Sequence, residues 1–507
     1  MLTGVNSGFT LSVHLEVCKC TQGGNMGLSY KPEKAYVGDV IPYYENGRYY
    51  AYYLHDPRSG KAGIYAEDTT WYLAETEDGL NFCSRGCILP TGDQTTPYLN
   101  NYTGSVIKHT DGRYYAFFTA FNDLNDEYRV NGKSVQSVMM ASGDSPDRME
   151  IRKDFRMLSD DRIYEVYDWR DPFVFYNEEE KCYWMLLCTR RKGSGYHRGG
   201  CIGLCKSKDL LSWEYAEPFY EPGMYITMEC PEVFRMKGRW YLVFSTFSDR
   251  FLTHYRYSDS LSGPWMIPYE DSLDCRSDYA IKTAGTEDER IAFGWISTKL
   301  GQCDEGPWEW GGTMICHRLT ADEQTGLLRL SALDAVDNHF MQGTQPDMKA
   351  VNASFDGNGL SSDGLGAVLH EIREKEFMIE AELDSSCREF GFFLGTDSQL
   401  ENGYQIRVAN GMLSLDRWPR KEQGLYQWQI DGDIPFAIET VRYLDPSLKH
   451  FHIKVIRSDD VLIVYLNDSI VMSTRIYGHE YGLAGPYVVC GSIDIARYSL
   501  RLPEGDR

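Results

Sequence analysis

Asp168-Trp169-Arg170-Asp171-Pro172-Phe173-Val174-Phe175 places two carboxylates and an arginine directly ahead of an apolar run. Charged side chains at the mouth of a buried strand are costly unless they are paired or used in chemistry. The same arrangement, an acid that leads an apolar strand, occurs in Val37-Gly38-Asp39-Val40-Ile41-Pro42-Tyr43-Tyr44 and in Met228-Glu229-Cys230-Pro231-Glu232-Val233-Phe234. Three acids in equivalent positions predict one site that is shared by repeated units.

A second repeating feature is a turn followed by an apolar strand, which is a hairpin signal. Its copies are residues 47–53, 112–118, 181–187, 238–244 and 289–295. An apolar strand with a Ser/Asp turn and an aromatic residue follows most copies. Five such units predict a five-bladed β-propeller, in which the first strand of each blade lines a central funnel. We therefore expect Asp39, Asp171 and Glu229 to point into one axial pocket.

The domain boundaries follow from where the repeat stops. Residues 30–338 are predicted as the propeller, and residues 1–29 as an N-terminal arm or a non-native extension. Residues 339–366 are polar and Gly-rich, which is typical of a linker or edge segment. Residues 367–507 contain segments that alternate with period two, which predicts a β-sandwich. The fold class is therefore all-β, a five-bladed β-propeller followed by a C-terminal β-sandwich.

Composition excludes several classes of partner. The formal net charge of −23 opposes binding to nucleic acid or to an anionic membrane, because both need basic patches. No apolar run approaches the ~18 residues of a membrane span, and the first residues lack the basic start of a signal peptide. Several cysteines lie in apolar strand-like segments, so we expect reduced buried thiols and a cytoplasmic location. These cysteines are Cys182, Cys188, Cys201, Cys205 and Cys316.

The sequence predicts no cofactor and no metal ion. The close pairs Cys18/Cys20 and Cys83/Cys87 lack His or Cys partners at zinc spacing. No Gly-rich phosphate loop is found. The predicted partner is a small carbohydrate, and a second copy of the chain, contacting through the sandwich, is a further candidate.

Three carboxylates in one funnel suit glycoside hydrolysis. This reaction needs one carboxylate as nucleophile or base and one carboxylic acid that protonates the leaving oxygen. Mutual repulsion and partial burial are expected to raise the pKa of one of the three acids. Aromatic side chains near the pocket would stack on sugar faces, although core packing is the commoner role for any one of them. The candidates are Trp71, Tyr102, Trp169, Trp308 and Trp310.

Several motifs resemble glycoside hydrolase family 32, the β-fructosidases. Arg170-Asp171-Pro172 resembles the Arg-Asp-Pro motif of the family, and the segment around Glu229 resembles its Glu-Cys-Pro motif. Tyr102-Thr103-Gly104-Ser105 is similar to its Phe-Ser-Gly-Ser segment, and Trp310-Gly311-Gly312 to its late Trp-Ala-Gly segment. The resemblance covers nearly all of residues 30–500 and independently implies a propeller followed by a sandwich.

The resemblance also implies roles. Asp39 would be the nucleophile, Glu229 the general acid and then base, and Asp171, beside Arg170, would bind sugar hydroxyls. The implied activity is release of fructose from sucrose-like or short β-fructo-oligosaccharides with retention, which needs the Asp39 and Glu229 carboxyls ~5–5.5 Å apart. The implied sugar contacts are Tyr102, Thr103, Ser105, Trp71 and Trp310.

The nucleophile segment departs from the family pattern. The family usually reads Trp-Met-Asn-Asp-Pro-Asn-Gly, whereas this chain reads Tyr36-Val37-Gly38-Asp39-Val40-Ile41-Pro42. The acid remains, but both Asn side chains and the Trp are absent, which indicates a divergent branch with an altered terminal-sugar subsite. His55 and Asp56 are candidates for replacement contacts, and an ordinary loop histidine and turn aspartate are the equally weighted alternative.

Other functions stay open at this point. An inverting hydrolase of the family 43 type, acting on arabinosides or xylosides, also uses acids from inner strands, with carboxyls ~6.5–9.5 Å apart. A non-catalytic sugar-binding propeller is a third hypothesis, and a fructosyltransferase would share every residue named. Asp249, Asp274 and Asp278 are further candidates for lining the pocket, since the segment near Asp278 loosely resembles the Asp-Phe-Tyr-Ala segment of the family.

Overall fold

The computed structural model describes residues 25–58, 69–420 and 435–504. Within these ranges the chain consists almost entirely of antiparallel strands, with one α-helix, α1 (Asp334–His339), and a short 3-10 helix (Asp126–Tyr128). No helix of this part of the chain is long and apolar enough to span a membrane. Most of the predicted N-terminal arm, residues 1–24, lies outside the described residues.

The first domain is a ring of five antiparallel sheets. A short pair, β1 (Asn25–Met26) and β2 (Ser29–Tyr30), precedes the first blade. Blade I contains β3 (Tyr36–Glu45), β4 (Arg48–Asp56), β5 (Thr70–Thr76) and β6 (Cys83–Leu89). Blade II contains β7 (Asn100–Lys108), β8 (Tyr114–Phe121), β11 (Ser137–Ser145) and β12 (Arg148–Met157), with the small pair β9 (Arg129–Val130) and β10 (Lys133–Ser134) inserted.

The remaining three blades follow the same plan. Blade III contains β13 (Tyr164–Asn177), β14 (Cys182–Arg191), β15 (Gly200–Ser207) and β16 (Glu214–Tyr220). Blade IV contains β17 (Glu229–Met236), β18 (Arg239–Thr246) and β19 (Leu252–Ser258), and a single bridge between Tyr257 and Met266 stands where a fourth strand would pair. Blade V contains β20 (Asp278–Gly285), β21 (Arg290–Lys299), β22 (Trp308–Ala321) and β23 (Leu328–Ser331).

The first strands of the blades form the inner ring. Each contacts the first strand of the next blade, and β20 returns to β3. Blade V also joins blade I by pairing at Gly312 and Val37, which closes the ring. The five repeated hairpins predicted from the sequence correspond to the second strands β4, β8, β14, β18 and β21, so the five-bladed propeller is confirmed.

Apolar side chains fill the spaces between adjacent blades. Trp71 and Phe118 pack between blades I and II, with ring centroids 6.2 Å apart, and Trp169 packs between blades II and III. Burial of such large aromatic rings supplies much of the hydrophobic stabilisation of a propeller. Large rings therefore hold the blades in fixed positions around the axis.

The second domain is the predicted β-sandwich, and one long strand belongs to both of its sheets. Strand β36 pairs with β26, β27 and β28. The segment predicted as a linker or edge segment, residues 339–366, contributes β24, β25 and the start of β26 to the sandwich. The strands are β24 (Lys349–Val351), β25 (Ser354–Phe355), β26 (Gly359–Ile372), β27 (Glu376–Ser385), β28 (Glu389–Thr396), β29 (Gly403–Ala409), β30 (Met412–Trp418), β31 (Phe436–Ala437), β32 (Arg442–Tyr443), β33 (His450–Ser458), β34 (Val461–Leu466), β35 (Ile470–Arg475) and β36 (Gly482–Arg501).

The cysteines agree with the sequence prediction in the apolar strands and differ at one position. The buried cysteines named above carry free thiols. Cys83, at the start of β6, is disulfide-bonded, so the expectation of reduced thiols is wrong there. Cys18 and Cys20 lie outside the described residues.

Candidate active site

All five inner strands are bulged where they face the funnel. The pairing with the second strand shifts between Val37 and Val40 in blade I, and at equivalent places in the other blades. A bulge bends the strand and re-aims a side chain. Asp171 and Cys230, within two of these bulges, have positive φ angles of 57° and 49°. Such backbone conformations in non-glycine residues cluster at functional sites.

Asp39 lies in the bulge of β3 and is partly exposed. Thr103, from β7, donates a hydrogen bond to Asp39 Oδ2. Trp295 Nε1 donates to Oδ1 over 3.1 Å, and Cys230 Sγ lies 3.7 Å from Oδ2. Burial raises the pKa of Asp39, and the hydrogen bond from Thr103 opposes that rise only in part. The two donors fix the orientation of this carboxylate.

Asp171 lies in the bulge of β13 and is almost fully buried. Its Oδ2 accepts the backbone N–H of Cys230 over 3.0 Å, and its own N–H donates to Thr119 Oγ1 over 2.8 Å. Burial raises the pKa of Asp171 to about 7, against the opposing effect of the Arg170 guanidinium and with a contribution from the charge of Glu229. Asp171 is therefore held rigidly, and the negative charges of Glu229 and Asp39 favour its protonated form.

Glu229 begins β17 and has a donor on each carboxylate oxygen. Arg170 Nη2 donates to Oε1 over 3.0 Å, and the Tyr279 hydroxyl donates to Oε2 over 2.7 Å. Arg170 also donates to Asp168 Oδ1 over 2.8 Å, and its Nε lies 3.8 Å from Asp171 Oδ2. One guanidinium thus connects the carboxylates of blades III and IV.

Trp310 forms the rim of the site beside the nucleophile segment. Its side chain is 37% exposed, and its ring centroid lies 5.8 Å from that of Trp295. A Cβ atom on Gly38 would lie 2.3 Å from the Trp310 ring. The glycine that replaces a larger residue of the family motif therefore leaves the space that Trp310 occupies.

Of the other predicted contacts, Thr103 joins the carboxylate cluster, whereas Trp71 packs in the core and Ser105 forms a hydrogen bond to a neighbouring blade. Trp71 is fully buried and donates to the Tyr102 carbonyl over 2.9 Å. Ser105 Oγ accepts the N–H of Val174 over 2.9 Å, which ties blade II to blade III. The predicted sugar contacts of Trp71, Tyr102 and Ser105 stay predictions.

The two candidate replacement contacts lie at the end of β4. His55 stacks on Tyr72 with ring centroids 3.9 Å apart. Asp56 is buried and accepts the N–H of Arg58 over 2.9 Å. Their roles in sugar binding also stay predictions.

The further aspartates proposed for the pocket occupy different places. Asp249 Oδ2 lies 2.9 Å from His254 Nε2 and remains partly exposed. Asp274 and Asp278 are fully buried, and Asp274 Oδ1 accepts the N–H of Ser473 from the sandwich over 2.9 Å. These two carboxylates lie in the interface between the domains rather than on the surface of the funnel.

The sequence analysis did not predict three residues of the site. Trp295 ends the fifth repeated hairpin, Tyr279 lies in the segment that loosely resembles Asp-Phe-Tyr-Ala, and Cys230 belongs to the Glu-Cys-Pro match. Each was therefore within a recognised segment. Their hydrogen bonds to Asp39, Glu229 and Asp171 depend on strand bulges that the sequence analysis did not predict.

Comparison with known proteins agrees with this geometry. Residues 30–329 match the family model described as "Glycosyl hydrolases family 32 N-terminal domain". A levanbiose-producing levanase from Geobacillus stearothermophilus is 23% identical over 202 residues, which are 39% of this chain and 45% of that enzyme. The match thus spans less than half the length of that relative.

Solved structures share the fold over nearly the whole chain. The exo-inulinase from Aspergillus awamori has a TM-score of 0.71 at 13% identity, over 96% of this chain and 99% of that one. The sucrose-6-phosphate hydrolase from Lactobacillus gasseri has a TM-score of 0.66 at 16% identity, over 95% and 93%. The family predicted from the motifs is confirmed because its model matches more than half of the sequence: the chain belongs to family 32 of the glycosyl hydrolases.

Proposed function

We propose that this protein is a retaining glycoside hydrolase that releases fructose from sucrose-like or short β-fructo-oligosaccharides. The observation that carries the proposal is the convergence of three carboxylates from blades I, III and IV. Asp39 and Asp171 are bridged by Cys230, and Asp171 and Glu229 by Arg170. The similarity to a levanase and an exo-inulinase supports a fructoside as the substrate.

In the first step Asp39 attacks the anomeric carbon of the terminal fructosyl unit. The donors Thr103 and Trp295 hold its carboxylate in one orientation, which reduces the entropy that is lost on attack. The C–O bond to the leaving group breaks as the Asp39–fructosyl bond forms, and Glu229 gives its proton to the leaving oxygen.

In the second step the roles of Glu229 reverse. Its carboxylate, held by Arg170 and Tyr279, takes a proton from a water molecule that attacks the fructosyl–Asp39 ester. Fructose leaves, Asp39 is again a carboxylate and Glu229 is again protonated. A sugar hydroxyl in place of water would give fructosyl transfer by the same residues.

Asp171 and Arg170 are assigned to binding and charge. Asp171 lies in the bulge of β13, on the blade next to the one that carries Glu229. Its carboxylate would accept hydrogen bonds from sugar hydroxyls. The Arg170 guanidinium balances part of the negative charge of the cluster. The retaining mechanism needs a proton on Glu229 and none on Asp39 at the start of the reaction.

The test is fructose release from a substrate panel of sucrose, kestose, inulobiose, inulin and levan, with aryl arabinosides and xylosides as comparison. Asp39→Asn and Glu229→Gln should lower kcat/KM by about 10²–10⁴-fold or more. Asp384→Asn, an exposed carboxylate of the sandwich, is the matched control and should keep full activity. Pentose release would favour the arabinosidase alternative, and sugar binding without turnover would favour a non-catalytic propeller.

We further propose a cytoplasmic location and self-association through the sandwich. The free buried thiols of blades III and V support the first proposal, whereas the disulfide at Cys83 counts against it. Fractionation of the source cells tests the location, and light scattering of the purified protein tests the oligomeric state. Recovery outside the cell, or a monomer at all concentrations, would contradict them.

A further inference from the structure

A second cluster of ionisable side chains lies between the propeller and the sandwich. Asp274, Asp278 and His317 are fully buried, and one donor atom from each lies within 4.8 Å of the others. His317 Nε2 is 3.6 Å from Asp274 Oδ2 and 3.7 Å from Asp278 Oδ2. None of these three residues has a part in the proposed hydrolysis.

Most of the carboxylate oxygens in this cluster are unpartnered. Asp274 Oδ1 accepts the N–H groups of Ser473 and Cys275 over 2.9 and 2.6 Å. Asp274 Oδ2 and both oxygens of Asp278 have no hydrogen-bond donor. Buried polar atoms in folded proteins are almost always satisfied, and buried carboxylates are normally paired or bound to a metal ion.

The histidine is oriented by the sandwich. The Tyr465 hydroxyl lies 2.8 Å from His317 Nδ1. With Nδ1 engaged by Tyr465, Nε2 faces the two carboxylates and the Ser473 hydroxyl, whose Oγ lies 3.3 Å away, and is placed to act as a ligand once it gives up that contact. A partner on the far ring nitrogen is the usual second contact of a metal-binding histidine, because it fixes the tautomer and the ring plane.

The surrounding charges do not neutralise the two acids. Arg442 is the nearby cation that acts on Asp274 electrostatically. Its Nη2, however, donates to the Ser272 carbonyl over 2.9 Å, and its Nε lies 3.9 Å from Glu270. Among the residues that the structure describes, no lysine or arginine forms an ion pair with Asp274 or Asp278.

The backbone also makes room for this arrangement. A Cβ atom on Gly294 would lie 2.0 Å from Asp278 Oδ1, so any larger residue would displace that carboxylate. A proton shared between Asp274 and Asp278 would satisfy one oxygen of each and leave Asp278 Oδ1 without a donor. A cation would interact with both acids and with the imidazole at once.

We propose that Asp274, Asp278 and His317, all from the propeller, form a structural binding site for a first-row divalent cation such as zinc, on the side of blade V that packs against the sandwich. Two carboxylate oxygens and one imidazole nitrogen are ligands that zinc accepts. Ligands of a tetrahedral zinc ion at 2.0–2.2 Å are about 3.3–3.6 Å apart, close to the separations from His317 Nε2.

Metal content of the purified full-length protein tests this site. The protein is produced in medium that contains zinc, dialysed against chelating resin and measured by inductively coupled plasma mass spectrometry. We expect about one equivalent of zinc, and a lower melting temperature after unfolding with a chelator and refolding without metal. Absence of stoichiometric metal after production with zinc, manganese or cobalt would overturn the proposal.

Matched variants assign the metal to these residues. His317→Gln and Asp278→Asn should lose the bound ion. His370→Gln is the control, because His370 is likewise buried and lies 2.7 Å from a tyrosine hydroxyl, that of Tyr498, but forms no ion pair with a carboxylate among the residues that the structure describes. Equal zinc content in His317→Gln and wild type would contradict the assignment of these residues as ligands. If that variant does not fold, the metal content and the cobalt absorption spectrum of the wild-type protein test the site instead. Failure of fructose release would leave this result unaffected.

Discussion

The charges of Asp39, Asp171 and Glu229 interact, because burial and the negative charge of Glu229 raise the pKa of both aspartates. Asp171 is the most buried of the three, and its pKa of about 7 means that it binds a proton over a pH range in which a free aspartate is ionised. This has a consequence for the pH dependence of stability.

Between pH 4 and pH 7 the folded protein keeps a proton on Asp171 that the unfolded chain has already lost. The free energy of unfolding should therefore fall as the pH rises through this range, by at most about 4 kcal/mol from this group. Asp171→Asn removes this titration. The free energy of unfolding of the variant, minus that of wild type, should therefore be larger at pH 8 than at pH 4.5. Urea unfolding at both pH values measures this change, and a pH-independent difference would refute it.

Tyr279 should assist catalysis through Glu229. Its hydroxyl donates to Glu229 Oε2 over 2.7 Å, and its ring stacks on Phe251 with centroids 4.0 Å apart. Tyr279→Phe keeps the stack and loses the donor, so kcat/KM should fall by about 10–100-fold, since hydrogen bonds to charged groups contribute about 1.5–3 kcal/mol. An unchanged kcat/KM on the best substrate of the panel would show that this hydrogen bond does not support catalysis.

At the scale of the strand, the bulges decide which side chains reach the funnel. Gly38 and Trp310 show the effect most clearly, because the glycine leaves the space into which the indole fits. Gly38→Ala should displace Trp310 from the rim, and a misplacement of this size is expected to lower kcat/KM by up to about 100-fold. Gly364→Ala, where an added Cβ meets no atom within 4 Å, is the control. Equal kinetics for both variants would mean that Trp310 does not shape the sugar site.

The sequence analysis predicted the strands but did not predict their bulges. Turn-plus-apolar repeats predicted the five hairpins, and the acids that lead three apolar strands predicted which residues converge. The prolines after Asp171 and Cys230 were a signal for bulges, because proline inside a sheet is confined to edges and bulges. The sequence could not decide whether Trp71 binds sugar or packs in the core, since an aromatic residue in a strand gives the same sequence pattern in both cases.

For the whole molecule, the interface between propeller and sandwich is the feature that sequence periodicity does not report. The segment predicted as a linker or edge segment enters the sandwich sheet through β26, which starts at Gly359. Partners such as Asp274 and Ser473 are distant in sequence, and neither segment alone indicates the other. The fold class was therefore predictable, whereas the contact between the two domains was not.

Arg475 should couple the stabilities of the two domains. From the sandwich, its buried guanidinium donates to the carbonyls of Ser297 and Ile296 and to Thr313 Oγ1 over 2.9–3.1 Å. Arg475→Met removes these charge-assisted hydrogen bonds, each of which contributes about 1.5–3 kcal/mol, so it should destabilise the protein and split thermal unfolding into two transitions.

Arg373→Met is the matched control, because Arg373 is exposed and pairs with Glu371 at the surface. Its effect should stay within about 0.5 kcal/mol. Differential scanning calorimetry measures both variants. A single unshifted transition for Arg475→Met would show that the domains are not coupled through this residue.

The most direct test of the proposed mechanism is to trap the fructosyl–enzyme intermediate. Glu229→Gln is mixed with a fructoside that carries an activated aryl leaving group, quenched in acid, digested with trypsin and analysed by mass spectrometry. We predict that the peptide of residues 35–48 gains the mass of one fructosyl unit, with the modification on Asp39. Turnover of the substrate with an unmodified peptide, or with the sugar attached to another residue, would contradict the assignment of Asp39 as the nucleophile.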